Sequence, residues 1–264
     1  MKQYFTFFKN EFANTVVYRG PVLVWISSNI LALLVITAVW TAADAGQTIA
    51  SYTKAELISY YVVSFFLNWI INWLPIYSTV EEMRSGEIAS STLIKPISFY
   101  WRKFSEELGW HAFSTILGTI FTLIIIILFR QYLVLSFPWE RILPAILATI
   151  SAIFVIFEFS LCLGLLAFWF TDVWALDGLF WAGKAFLGGQ VLPISFFSSY
   201  LAMAIKLLPF RYMLSFPLEI YFGKLSPLEI ITGFLIASFW ILFFALLYKI
   251  MWNRGRKAYT SFGQ

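Results

Sequence analysis

Long apolar runs separated by short polar stretches set the pattern of this chain. Five runs of about twenty residues or more occur near residues 22–42, 57–78, 110–129, 142–170 and 228–250. As helices, each is long enough to cross a hydrocarbon core of about 30 Å. A sixth run begins near Leu176, and glycine and proline interrupt it after residue 187. The pattern predicts an all-α integral membrane protein with six transmembrane helices, forming a single domain over residues 1–264.

Residues 1–20 have the alternation of an amphipathic helix. At about 100° per residue, apolar and polar side chains fall on opposite faces. The apolar face holds Tyr4, Phe5, Phe8, Phe12 and Val16, and the polar face holds Lys2, Gln3, Thr6, Lys9, Asn10 and Asn14. Phe7 and Glu11 interrupt the boundary between the two faces. We expect this helix to lie in the headgroup plane of the membrane.

The longest polar stretch covers residues 80–108, between the second and third apolar runs. Gly86 can end the arriving helix, and residues 87–94 can form two short helical turns. Pro96 would stop those turns because it lacks an N–H, and Ser98 can cap the next helix. The stretch fits either a solvated turn between two spans or a short surface helix that docks on a soluble partner.

Residues 188–223 carry several helix-breaking positions in an apolar context. These positions are Gly188, Gly189, Pro193, Pro209, Pro217 and Gly223. Proline removes an amide donor, and non-helical backbone at membrane depth persists only where protein or water covers it. We expect a broken helical hairpin that enters the outer leaflet and turns back without crossing. Such a hairpin would act either as an outer gate or as a passive lid on the bundle.

Composition and charge place the chain in a membrane and favour one orientation. Hydrophobic residues make up 61% of the sequence and charged residues 12%, and the mean hydropathy is +0.81. The basic residues flank the apolar runs, so a membrane surface explains them better than a nucleic acid does. With both termini in the cytoplasm, including a basic tail at 251–264, the inner side holds eleven Lys and Arg and the outer side six. This asymmetry predicts a multi-pass cell-membrane protein with both termini cytoplasmic.

Little in the sequence indicates catalysis or metal binding. The chain has one cysteine, Cys162, and one histidine, so neither an internal disulfide nor a zinc cluster is expected. The stretch from Gly178 to Ala185 matches part of a phosphate-binding loop, but it lacks the final Ser or Thr and lies in an apolar run. We therefore expect no catalytic site, and no cofactor or metal bound by this chain.

Two ionisable side chains fall inside predicted spans. They are Glu158 in the fourth span and Lys184 in the fifth. A lone charge in lipid costs roughly 3 kcal/mol or more, so each needs a partner or water. A structural ion pair between the two is the first interpretation. The alternatives are the polar lining of a substrate route and a proton relay.

The order of amphipathic helix, two spans, charged loop and four further spans resembles the permease subunits of type-2 ABC exporters. Two stretches carry this resemblance. Residues 84–96 are similar to that family's R-x-G…L-x-[KR]-P loop, with Arg84, Gly86, Glu87, Leu93, Lys95 and Pro96. Residues 189–223 are similar to its broken outer hairpin, although Gly188 stands where Ser is common and Ser198 where Pro often follows.

The resemblance implies a partner and a mechanism. A cytoplasmic ABC ATPase in two copies would hold the coupling loop, and ATP and magnesium would be bound there. A second permease, identical or related, would complete the complex, which would export an amphipathic, lipid-like, drug or peptide cargo. Two other classes stay open. A membrane scaffold or immunity-type protein would retain a toxin or lipid without moving it, and a secondary transporter would show internal repeats and midplane ion ligands.

Overall fold

The computed structural model describes residues 2–42, 52–93, 96–135, 139–170 and 173–258. Within these ranges the fold is all-helical and contains no β-strand. Its α-helices are α1 (Lys2–Val17), α2 (Gly20–Ala42), α3 (Lys54–Ile71), α4 (Ile76–Arg84), α5 (Phe99–Phe129), α6 (Trp139–Leu165), α7 (Trp174–Leu187), α8 (Ser199–Ile205), α9 (Pro209–Met213), α10 (Ser215–Tyr221) and α11 (Pro227–Ala258). The fold class predicted from the hydrophobic pattern is therefore confirmed as all-α.

Five of the described segments are long and apolar enough to cross a membrane. They are Gly20–Trp40, Lys54–Arg84, Phe99–Tyr132, Trp139–Phe168 and Pro227–Lys257. The expected fifth span corresponds to α7, which has only 14 residues. At 1.5 Å per residue this helix is about 21 Å long. Six crossings therefore stay a prediction.

Helices α6 and α11 run parallel, so the chain between them must return from one end of the bundle to the other. The Cys162 thiol lies 3.6 Å from the Phe244 carbonyl oxygen, and the rings of Phe168 and Trp252 lie 5.9 Å apart. In both pairs the later residue of α6 meets the later residue of α11. Helix α7 begins this return.

Helix α7 runs antiparallel to α3 and α4. The Tyr77 hydroxyl donates to Asp177 (3.0 Å), and Lys184 donates to Asn68 (3.0 Å). Beyond the end of α7, the Tyr60 hydroxyl donates to the Gly189 carbonyl oxygen (2.8 Å). We call the end of the bundle near residue 84 the loop end and the end near residue 189 the hairpin end.

The predicted second span, 57–78, is interrupted at residues 72–75, where α3 ends and α4 begins. Pro75 precedes the first residue of α4 and cannot donate a hydrogen bond. Side chains of α5 meet the backbone groups that this break leaves free. His111 Nε2 lies 2.9 Å from the Asn72 carbonyl oxygen, and the Leu74 N–H donates to Glu107 (3.1 Å). The break is thus covered by protein, as apolar surroundings require.

Helix α1 packs along α5 through part of its predicted apolar face and the positions beside it. Thr15 is buried, and the rings of Phe12 and Phe113 lie 6.2 Å apart. Phe5 and Val16, both on the predicted apolar face, are 61% and 38% exposed and so stay available to lipid. The position of this helix in the headgroup plane stays a prediction. A protein helix, rather than lipid alone, covers α1, and its contact surface is rotated toward Glu11.

Candidate functional site

The loop between α4 and α5 has an exposed polar side and a buried apolar anchor. Helix α4 ends at Arg84, and Gly86 follows with a φ of 75°, in the left-handed region that favours glycine. Glu87 and Ser90 are exposed. Ile88 is fully buried in an apolar cluster with Trp73, Met83, Phe99, Phe157, Leu161 and Leu165. The tip therefore presents polar groups while one side chain fixes it to the bundle.

The predicted helical turns of the loop appear as a single π-helical segment, Ala89–Leu93. Pro96 lies in an exposed turn after it. Lys95 and the side chain of Leu93 lie outside what the structure describes. Ser98 occupies the N-cap position of α5, but its side chain makes no capping hydrogen bond. Its backbone N–H donates instead to the Tyr4 hydroxyl (3.1 Å), which ties the loop to α1.

A buried ion-pair cluster joins α4 to α5 at the base of the loop. Glu82 pairs with both Arg102 and Lys103. Glu106 also pairs with Arg102 (3.0 Å) and Lys103 (3.2 Å), and Lys103 donates to Ser78 (3.1 Å). The sequence showed these four residues only as charged positions within the polar stretch 80–108. The structure buries them because the helices that flank the loop converge there.

Glu158 and Lys184 do not form the predicted ion pair. Glu158 accepts a hydrogen bond from the Tyr100 hydroxyl (2.8 Å), and its second carboxyl oxygen is buried without a described partner. Lys184 is fully buried and donates to the side-chain oxygens of Asn68 and Asn72. The prediction is wrong because α3, rather than α6, supplies the polar groups that face Lys184.

The segment predicted as a broken hairpin is divided into a 3-10 turn, Ile194–Phe196, and the short helices α8, α9 and α10. The predicted breakers fall at or beside these divisions, apart from Pro217, which lies within α10. Gly188 follows α7 as its C-cap, Pro193 precedes the 3-10 turn, and Pro209 begins α9. Gly189 and Gly223 have φ of 81° and 65°, where glycine is favoured.

Hydroxyl groups hold the start of this segment in place. Tyr60 donates to the Gly189 carbonyl oxygen, and Tyr61 donates to that of Val191 (2.7 Å). The Ser215 hydroxyl donates to the Gly188 carbonyl oxygen (2.8 Å). A Cβ placed on Gly189 would collide with the Ser215 hydroxyl oxygen. The backbone here is fitted closely to α3 and α10.

A cavity of about 350 Å³ opens between α1, α2, α3, α4, α5 and α7. Its polar lining consists mainly of carboxylates and amides: Glu11, Glu106, Glu107, Asn29, Asn68 and Asn72. Glu106 also belongs to the ion-pair cluster, so one side chain connects the cavity to the base of the loop. The sequence did not predict this site. The only available signal was the pair Asn68 and Asn72, one helical turn apart in an apolar run.

Two comparisons with known proteins bear on the family of this chain. A comparison with curated proteins returns no significant match. A family model described as "ABC-2 family transporter protein" matches residues 23–263, nearly the whole chain. In that family the membrane component is generally not catalytic, and the ATPase is a separate subunit. The chain therefore belongs to the ABC-2 transporter family and is a multi-pass membrane permease of an ABC transporter.

Proposed function

We propose that this chain is the permease subunit of an ATP-driven exporter and that its loop at residues 81–107 docks on a cytoplasmic ABC ATPase. The observation that carries the proposal is the construction of the loop. Exposed Glu87 and Ser90 stand beside the buried anchor Ile88, above the ion-pair cluster. A solvated turn needs neither the anchor nor the cluster. A docking element needs both, because it must transmit force to the helices behind it.

The proposed topology has six crossings, with both termini and the loop end in the cytoplasm of a cell membrane. Helix α7 is the fifth of these crossings in chain order, although it is short. The parallel arrangement of α6 and α11 supports this crossing, because the chain must return from one end of the bundle to the other between them. Residues 188–223 then lie at the outer leaflet. There they cover the short helix α7 and complete its path.

The proposed complex contains two ATPase copies, which bind ATP and magnesium, and a second permease that is identical or related. Each ATPase holds one loop. Closure of the ATPases on ATP displaces the loop, and the rigid cluster of Glu82, Arg102, Lys103 and Glu106 moves α4 and α5 together. Because Glu106 lines the cavity, the same movement changes the shape of the cavity and drives its cargo outward.

The test reverses one charge at the loop tip. Replacing Glu87 with Lys is expected to reduce copurification of the ATPase, or cargo-stimulated ATP turnover, by about tenfold, if Glu87 makes one charge-assisted contact. The matched control is Glu140→Lys, because Glu140 is also exposed and belongs to α6 near the hairpin end. Pro96→Ala tests the turn separately.

Unchanged assembly, turnover and transport in both Glu87→Lys and Pro96→Ala would reject the docking loop. The result would then favour a non-transporting scaffold that retains a toxin or lipid.

A further inference from the structure

The cavity has a composition that favours one kind of ligand. Carboxylates and amides supply most of its polar groups, and no Lys or Arg is among the lining residues that the structure describes. Four indole rings complete the wall: Trp25, Trp69, Trp110 and Trp181. Indole faces attract cations through the ring quadrupole, and carboxylates attract them by charge.

The basic side chains behind the cavity wall already have hydrogen-bond or ion-pair partners. Arg102 and Lys103 are paired with Glu82 and Glu106. Lys184 is held by amide oxygens and lies 5.3 Å from the centroid of the Trp181 ring. Among the described residues on and directly behind the wall, four acidic groups (Glu11, Glu82, Glu106 and Glu107) face three basic groups. Counted as formal charges, the acids exceed the bases by one.

Within the described part of the chain, Glu11 and Glu107 are the two acids of this group that no Lys or Arg pairs with, because Lys184 is held by amide oxygens instead. Glu107 accepts from the Leu74 N–H and lies 3.7 Å from His111. Within the described part of the chain, no Lys or Arg forms an ion pair with Glu11. Burial and the nearby charge of Glu106 raise the pKa of Glu11 above its usual range. A bound cation would relieve this repulsion.

We propose that the cavity binds an organic cation with an apolar or aromatic body, held by Glu11 and Glu107 among the four indoles. The proposal rests on the export function above and assigns its cargo a chemical class. A volume of about 350 Å³ lies within the usual size range of small-molecule sites. Trp25 is 48% exposed, so the cavity reaches the surface along α2, where a longer apolar tail can extend into lipid.

The test measures binding to the purified full chain in nanodiscs, without any ATPase. The probe is radiolabelled tetraphenylphosphonium, and tetraphenylborate is its anionic counterpart of the same shape. Empty nanodiscs correct for partition into lipid. We expect saturable binding of the phosphonium, and none of the borate. Preference for the borate, or equal binding of the two, would overturn the proposal, because Lys184 rather than the carboxylates would then dominate.

Two pairs of variants locate the binding. Glu11→Gln is expected to weaken phosphonium binding about tenfold, while the exposed-site control Glu140→Gln leaves it unchanged. Trp25→Leu is expected to weaken it about three- to tenfold, and its control is Trp139→Leu, because Trp139 is 81% exposed and outside the cavity. Equal affinities for Glu11→Gln, Trp25→Leu and the unmodified chain would reject the site.

The binding test and the docking test fail independently. If the phosphonium binds as expected but Glu87→Lys and Pro96→Ala both leave assembly, turnover and transport unchanged, the cavity is a cation site and the export function is wrong. If the loop couples to an ATPase but the cavity prefers the anion, the export function stands and the cargo class is wrong.

Discussion

The loop end and the hairpin end both depend on a glycine with positive φ, yet they are stabilised in different ways. At the loop end, Gly86 precedes an exposed tip, and buried ion pairs hold the flanking helices together. At the hairpin end, Gly189 lies in a closely packed turn whose carbonyl oxygens accept hydrogen bonds from Tyr60, Tyr61 and Ser215. The loop end is an exposed tip above buried ion pairs, whereas at the hairpin end hydrogen bonds fix the backbone of the turn itself.

The largest expected effect comes from removing a charge at the loop end. Lys103→Met leaves Glu82 and Glu106 with one base fewer in a buried site. Breaking such a pair costs about 3–5 kcal/mol, so the thermal unfolding temperature in detergent should fall clearly. The control is Lys249→Met, because Lys249 is exposed on α11. Equal unfolding temperatures for the two variants would show that the cluster does not hold α4 to α5.

A smaller loss is expected from crowding the hairpin end. Gly189→Val places a β-branched side chain at a φ of 81° and against the Ser215 hydroxyl, a strain of about 1–3 kcal/mol. Gly178→Val is the control, since nothing lies within 4 Å of a Cβ at Gly178. If residues 188–223 gate the exit, transport should fall while membrane insertion and ATPase binding persist. Normal transport by Gly189→Val would reject the gate and leave the passive lid as the role of residues 188–223.

The two intramembrane charges should contribute independently to stability. Lys184→Met leaves Asn68 and Asn72 without their donor, while Glu158→Gln keeps an acceptor for Tyr100. Losses that add within about 0.5 kcal/mol in the double variant would agree with the separate environments of these residues. The coupling is measured by unfolding the unmodified chain, the two single variants and the double variant. A coupling well above that value would show that Glu158 and Lys184 interact, as the sequence predicted.

The smallest perturbation tests which side of the membrane each end faces. Single cysteines at Ser90 and Thr53, in a background with the buried Cys162 replaced by Ala, should label from opposite sides. Impermeant maleimide should reach Thr53→Cys from outside intact cells and Ser90→Cys only after permeabilisation. Labelling of Ser90→Cys in intact cells would reject the proposed orientation.

The sequence by itself determined the all-helical class, five segments of membrane-spanning length and the resemblance to type-2 ABC exporters. Each of these depends on local patterns: runs of apolar residues, or Gly86 and Pro96 at fixed spacing around a polar stretch. Most of the positions where the helices of residues 188–223 end were also predictable from the sequence, because glycine and proline act on the backbone next to them; Pro217, inside α10, is the exception among the predicted breakers.

Only the tertiary structure decided which side chains meet. Hydrophobic periodicity places Lys184 inside a helix, but it does not show that α3 turns Asn68 and Asn72 toward it while α6 turns Glu158 toward Tyr100. The cavity likewise requires six helices to converge, so no single stretch of sequence encodes it. Such contacts depend on how helices are rotated and packed against one another, and this information is shared among segments far apart in the chain.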